Sequence, residues 1–282
     1  MYKIIDGKKI AQEIRAELCE KIAVFKKDTG HDIGLAVILV GENPASQIYV
    51  RNKVKACEEV GIKSFAYYLS ETATQKELED LILALATNNE IHGILVQLPL
   101  PKHLSEQALK LIPDEKDVDG FSANNIGKLC LNTESTVACT PHGVMKMLEY
   151  ENIEVKGKNA VVVGRSNIVG RPMAMLLLNA DATVTVCHSK TENLKEQCLK
   201  ADILVSAIGK PKFITAEMIK DGAVVIDVGM NRDENGKLCG DVDFENVKEK
   251  CSFISPVPGG VGPMTITMLM YNTYLAALRS AN

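Results

Sequence analysis

The sequence predicts an α/β protein of two domains, and two observations predict it. Short apolar runs alternate with helical segments along the chain. Apolar strands separated by helices imply parallel sheets covered on both faces. The rhythm breaks once, in the polar, turn-rich stretch from Pro113 to Gly143, where a domain junction is expected.

The elements follow in order. An amphipathic helix is expected over Lys8 to Lys27, then a strand in IGLAVILVG. Asn43 as cap, Pro44 at the first helical position and Gly61 at the exit delimit a helix over Pro44 to Val60. KSFAYYL is the next strand, and Thr74 with Glu77 makes a capping box for a helix over Gln75 to Asn88. GILVQLPL closes this series. Past the junction, Thr140 is expected to cap a helix with Pro141 at its first position. NAVVVG, TVTVCHS, DILVSAIG and AVVIDVG are further strands, with a helix over Val169 to Asn179 between the first two. The closing MTITMLMYNTYLAALRSAN is a packing helix, expected to return to the first domain because its apolar surface needs a partner. The expected domains are residues 1–139 with 264–282, and residues 140–263.

With 282 residues, 46% of them hydrophobic, the chain can bury a substantial core. A net charge of -4 gives no basic surface for nucleic acid. The eight cysteines include no C-x-x-C pair, so no zinc or other metal site is expected, and their apolar settings suit reduced thiols in a cytoplasmic protein. The N-terminal stretch lacks a signal-peptide core, and no apolar run is long enough to span a membrane.

Lys53 breaks the pattern of its helix. With roughly 100° per residue, Val60, Cys57, Val50 and Val54 fall within about 140° of Tyr49, and Lys53 falls among them. Arg51, Lys55, Glu58 and Glu59 take the opposite arc. Two readings stand on this helix alone: a buried stem with an ammonium that snorkels to water, or a lysine kept inward for chemistry.

NAVVVGRSNIVGRP reads as a strand, a glycine turn and a helix start, where backbone amides suit a pyrophosphate. It departs from G-x-G-x-x-G, since Ser166 replaces the second glycine and Gly170 comes one residue late. A plain strand-to-helix turn is the other reading. The next strand ends in Cys187, His188, Ser189 and Lys190 with no acid to hold a ribose 2′-hydroxyl, while Arg165 stands in the turn. That pattern favours a 2′-phosphate, hence NADP over NAD.

Five stretches converge: YVRNKVKACEEVGI, QLPLP, DVDGF, GRSNIVGRP and PVPGGVGPMT. In this order, between Tyr49 and Thr265, the chain resembles the methylenetetrahydrofolate dehydrogenase / methenyltetrahydrofolate cyclohydrolase family. The resemblance implies a catalytic, folate-binding first domain, a Rossmann-like NADP-binding second domain, a cleft between them and a homodimer. It implies NADP-dependent oxidation of 5,10-methylenetetrahydrofolate, followed by hydrolysis to 10-formyltetrahydrofolate. By resemblance, Lys53 is the catalytic lysine, Gln97 works with it, and Asp119 binds the pterin. Tyr49 packs on the aminobenzoate part of the substrate, and Pro263 lines its site within PGGVGPMT. Gly164, Arg165 and Ser166 form the phosphate turn, and Ser189 and Met230 are further cofactor positions. Met230 departs from the isoleucine of many relatives. Taken singly, Gln97 could serve the backbone at a strand end, and Asp119 before Gly120 could be a turn aspartate. His142 and His188 read as structural. An NADP-dependent dehydrogenase of another small molecule and a non-catalytic nucleotide-binding protein are the competing classes; retention of Lys53, Gln97 and Asp119 speaks against the second.

Overall fold

Strands that are apolar on both faces need cover on both faces, and the computed structural model of the protein arranges them so. It describes residues 2–281. In chain order the strands are β1 (Lys3–Ile4), β2 (Gly34–Val40), β3 (Lys63–Leu69), β4 (Gly93–Val96), β5 (Asn159–Val163), β6 (Thr183–Cys187), β7 (Ile203–Ser206), β8 (Ala223–Asp227), β9 (Asn231–Arg232), β10 (Leu238–Cys239) and β11 (Cys251–Ile254). The helices are α1 (Gly7–Thr29), α2 (Pro44–Val60), α3 (Gln75–Ala86), α4 (Ala123–Cys130), α5 (Cys139–Tyr150), α6 (Gly170–Asn179), α7 (Leu194–Cys198), α8 (Phe244–Val247) and α9 (Val261–Ala281).

The chain divides into two compact units. One comprises Glu13–Lys128, Glu134–Cys139 and Ile266–Asn282. Its sheet has the order β3-β2-β4, parallel throughout. All seven residues of β2 are buried, as its unbroken apolar run requires. Ile38, Leu78, Ile82 and Ile94 form the centre of the core on one side of this sheet. The capping box of α3 is present: Thr74 Oγ1 accepts the Glu77 N–H at 3.2 Å, and Glu77 accepts the Thr74 N–H at 2.7 Å.

The other unit comprises Met1–Gln12, Leu129–Thr133 and Thr140–Thr265. Its six-stranded sheet runs β1-β11-β8-β7-β5-β6 with every neighbour parallel. The first twelve residues, expected with the first domain, belong here because Lys3 and Ile4 pair with Phe253 and Ile254. The order turns back at β5, between β7 and β6, so the carboxyl ends of these strands form a switch point of the kind that binds ligands in open α/β sheets.

Two helix starts differ from expectation. α5 begins at Cys139, so Thr140, expected as its cap, lies inside the helix, with its hydroxyl 2.9 Å from that of Thr265. α9 begins at Val261, three residues before the expected start, since Pro263 is compatible with a first helical turn. No helix among the described residues is long and apolar enough to cross a membrane. Among them no group of three or more His, Cys, Asp or Glu is placed to hold a metal ion.

Candidate active site

α2 is fixed at both ends. Asn43 Oδ1 accepts the Ser46 N–H at 3.2 Å, the geometry of an N-cap. Gly61 has φ +85°. The Ile62 N–H donates to the Cys57 carbonyl at 2.9 Å and the Gly61 N–H to that of Glu58 at 3.4 Å, a Schellman ending. Between these ends Val50, Ala56, Cys57 and Val60 are buried, and Arg51, Lys55, Glu58 and Glu59 are exposed. Tyr49 and Lys53 are both half-buried, one turn apart.

The Lys53 amine ends on a side chain. Nζ donates to Gln97 Oε1 at 2.9 Å. Gln97 follows β4, and its own N–H donates to the Ile38 carbonyl at 2.8 Å, extending the ladder by one residue. Its Nε2 donates to the Leu98 carbonyl at 2.7 Å. With the amide nitrogen committed there, the oxygen is held toward the lysine. Burial lowers the Lys53 pKa from the ordinary lysine range, against an opposing pull from the charge of Asp119. Burial likewise raises that of Tyr49.

Asp119 is not the turn aspartate of DVDG; Asp117 is. Buried Asp117 accepts the Gly120 N–H at 3.0 Å, the Ser122 N–H at 2.8 Å and Asn125 Nδ2 at 3.0 Å. Gly120 sits at φ +72°, where a Cβ would stand 2.7 Å from the Ala138 nitrogen, so only glycine fits. On the other side, the Val118 carbonyl accepts Asn272 Nδ2 at 2.9 Å and the Cys139 thiol at 3.3 Å. The backbone around Asp119 is thus pinned from both directions, and its carboxyl is left to other work. Burial pushes that carboxyl up to about 6, with Lys53 pulling it down and Asp117 pushing it up. Asp117, Asn125 and Asn272 were missed in the sequence. The buried Asn272, inside an apolar helix, was the one legible signal.

In the other unit, β5 runs into Gly164, whose N–H donates to the Cys187 carbonyl at the end of β6 at 2.9 Å. A Cβ on Gly164, at φ +133°, would stand 2.3 Å from the Ala207 carbonyl oxygen. A Cβ on Gly170 would stand 2.3 Å from the Gly164 oxygen and 2.7 Å from the Arg165 nitrogen. Both glycines therefore allow a backbone turn that side chains would fill, as a cradle for a pyrophosphate needs. Ser166 Oγ accepts the N–H groups of Val169 at 3.2 Å and Gly170 at 3.3 Å, so the residue replacing the second glycine ties the turn to the start of α6 and keeps its own hydroxyl proton to donate. Arg165 and Ser189 are exposed at the ends of β5 and β6. His188 shapes the second of these ends: its N–H donates to Thr191 Oγ1 at 2.8 Å and its Nδ1 accepts the Lys190 N–H at 3.1 Å. Met230 is 49% exposed, and its terminal carbon lies 3.4 Å from where a Cβ on Gly262 would stand. That places Met230 against the residue before Pro263, which lies in the first turn of α9. The donor set fits NADP.

A switch-point sheet carrying such a turn defines a pyridine-nucleotide-dependent enzyme, and the lysine–amide–carboxyl set of the other unit suits it to proton transfer as well. Residues 5–119 match the model of the tetrahydrofolate dehydrogenase/cyclohydrolase catalytic domain, and residues 138–281 that of the NAD(P)-binding domain. The chain belongs to the tetrahydrofolate dehydrogenase/cyclohydrolase family. It is 58% identical over 281 residues to the bifunctional protein FolD of Streptococcus pneumoniae serotype 4, covering 99% of both chains. The crystal structure of the bifunctional FolD enzyme from Campylobacter jejuni is 52% identical, with a TM-score of 0.97 over 99% of this chain and 100% of that one. The Trypanosoma brucei enzyme, solved with NADP cofactor and an inhibitor, is 40% identical, with a TM-score of 0.95 over 100% and 99%.

Proposed function

We propose that the chain is a bifunctional one-carbon folate enzyme. It oxidises 5,10-methylenetetrahydrofolate to the methenyl form with NADP, then hydrolyses that product to 10-formyltetrahydrofolate. The observation that carries the reading is the Lys53 amine held at 2.9 Å by Gln97, within charge range of Asp119.

NADP would supply the acceptor for the hydride that leaves the methylene carbon. Gly164, Arg165 and Ser166 would hold its phosphates, with Ser189 and Met230 as further contacts. Loss of hydride leaves a cation that the adjacent nitrogens stabilise, so this step asks the protein for orientation. Tyr49 would supply a flat surface for the aminobenzoate part of the substrate, and Asp119 a carboxyl acceptor for the pterin N–H groups.

The second step asks for a base. Water adds to the methenyl carbon and must lose a proton, and a ring nitrogen must gain one as the bridge opens. A lysine with a lowered pKa can do both in turn. Gln97 Oε1 accepts a hydrogen bond from the amine and so fixes the direction of the remaining positions on the nitrogen. The family resemblance also supports a cytoplasmic homodimer, which light scattering checks as twice the mass of the 30.7 kDa chain.

The test is an absorbance assay of purified protein with methylenetetrahydrofolate and NADP, repeated with NAD. Turnover with NADP and slower turnover with NAD is the expected result. No response to either would leave a dehydrogenase of another substrate as the better reading.

A further inference from the structure

Two buried acids in the nucleotide-binding unit have no part in the mechanism above. Asp227 ends β8 and is 3% exposed; Asp241 follows the β9–β10 hairpin and is 0% exposed. Burying two carboxyls so close together is costly unless every oxygen is used, and here each is.

Asp227 works on the chain near itself. Its carboxyl accepts the N–H groups of Gly229, Asp241 and Val242, each at 2.9 Å. Its own N–H donates to Ser255 Oγ at 2.8 Å, just beyond β11. Asp241 works on loops further off. It accepts the Ile208 N–H at 2.7 Å, the Lys210 N–H at 3.0 Å, Ser206 Oγ at 3.2 Å and Asn231 Nδ2 at 2.9 Å. Glycines keep these approaches open: a Cβ on Gly229 would stand 2.3 Å from Asp241 Oδ1, and one on Gly240 1.8 Å from Asp227 Oδ2.

The loops so held adjoin the residues that would hold NADP. Ile208 adjoins Ala207, whose carbonyl packs on Gly164 of the glycine turn. Asn231 adjoins Met230, whose end packs on Gly262. One carboxyl therefore joins the support of the glycine turn to the support of Met230, both at the carboxyl ends of parallel strands. We propose that Asp241, backed by Asp227, is a positioning residue for the NADP site, setting the spacing between the glycine turn and Met230. The hydrogen-bond partners named for both acids all lie in the nucleotide-binding unit, so removing either carboxyl is expected to act on NADP and to spare hydrolysis of the methenyl substrate. The inference rests on the NADP reading given above.

The test uses the full chain and separates the two activities. Asp241→Asn keeps the volume but turns an amide nitrogen toward N–H groups that need an acceptor. The expected result is an NADP dissociation constant, measured by titration calorimetry, about tenfold weaker. Hydrolysis of methenyltetrahydrofolate, assayed without NADP, stays within about twofold of the parent. Asn231→Ala, which removes a single bond, weakens NADP by about threefold and decides the matter if Asp241→Asn does not fold. NADP affinity within about twofold of the parent in the variant measured, or parallel loss of affinity and NADP-free hydrolysis, overturns the proposal. A parent protein that neither binds nor uses NADP overturns the reading beneath it instead.

Discussion

A lysine that gives up water for one neutral amide acceptor carries the cost on its charged form. That cost suits Lys53 to the role of base proposed for the hydrolytic step, a role that would separate the two reactions. Lys53→Met keeps an apolar stem on α2 and removes the proton carrier. Cyclohydrolase turnover should fall on the order of a hundredfold or more, and dehydrogenase turnover much less, in parallel assays of the two steps. Asp119 gives a pH signature. Its folded pKa of about 6 lies above the ordinary carboxylate value, so the folded protein holds this proton more tightly than the unfolded chain. That contribution to stability is complete at low pH and is lost as pH rises from about 4 through 6. Asp119→Asn has no such loss, so its stability relative to the parent should climb by about 1–3 kcal/mol between pH 4 and pH 7 in thermal melts. Lys53 was legible because an ionisable residue broke a periodic face. The division of labour between Asp117 and Asp119 was not, because DVDG offers two aspartates to one turn and only the backbone course says which takes it.

Elements with strong punctuation were read to the residue. α2 runs over Pro44–Val60 as Asn43, Pro44 and Gly61 dictate, and β3 spans Lys63–Leu69 as expected. Elements without it were not. Lys3–Ile4 and Cys251–Ile254 are too short to show a period, and they are strands through their neighbours, Cys251–Ile254 pairing with β8 and Lys3–Ile4 with Cys251–Ile254 in turn. The glycine turn falls between: its strand and helix were legible, while the steric role of Gly170 depends on atoms of Gly164 and Arg165 that sequence spacing does not locate. Gly170→Ala must push that backbone apart. The variant should lose about 1–3 kcal/mol of stability and at least tenfold in NADP affinity, read by denaturant melts and calorimetry, while methenyl hydrolysis without NADP persists.

For the molecule as a whole, composition had already set the redox expectation, and the structure gives each thiol its place. Cys57, Cys139, Cys187, Cys198 and Cys251 are buried, Cys19 and Cys130 are exposed, and Cys239 lies between. Burial raises Cys57, Cys198 and Cys251 to about 12, which suppresses the reactive thiolate. A thiol reagent should titrate two or three groups in the native protein and all eight after denaturation. The long-range acid network of Asp227 and Asp241 could not be read this way, since fourteen positions separate the partners and no periodicity joins them.

The pairing of Lys3 and Ile4 with Phe253 and Ile254 also has a temporal meaning. At roughly 5–20 residues per second, a ribosome needs on the order of 10–50 s to make the intervening polypeptide. The Lys3–Ile4 segment of the nascent chain therefore waits, without its docking edge, until Phe253 and Ile254 have been translated. A fusion placed directly ahead of Lys3 burdens the nucleotide-binding unit, whose sheet that segment edges.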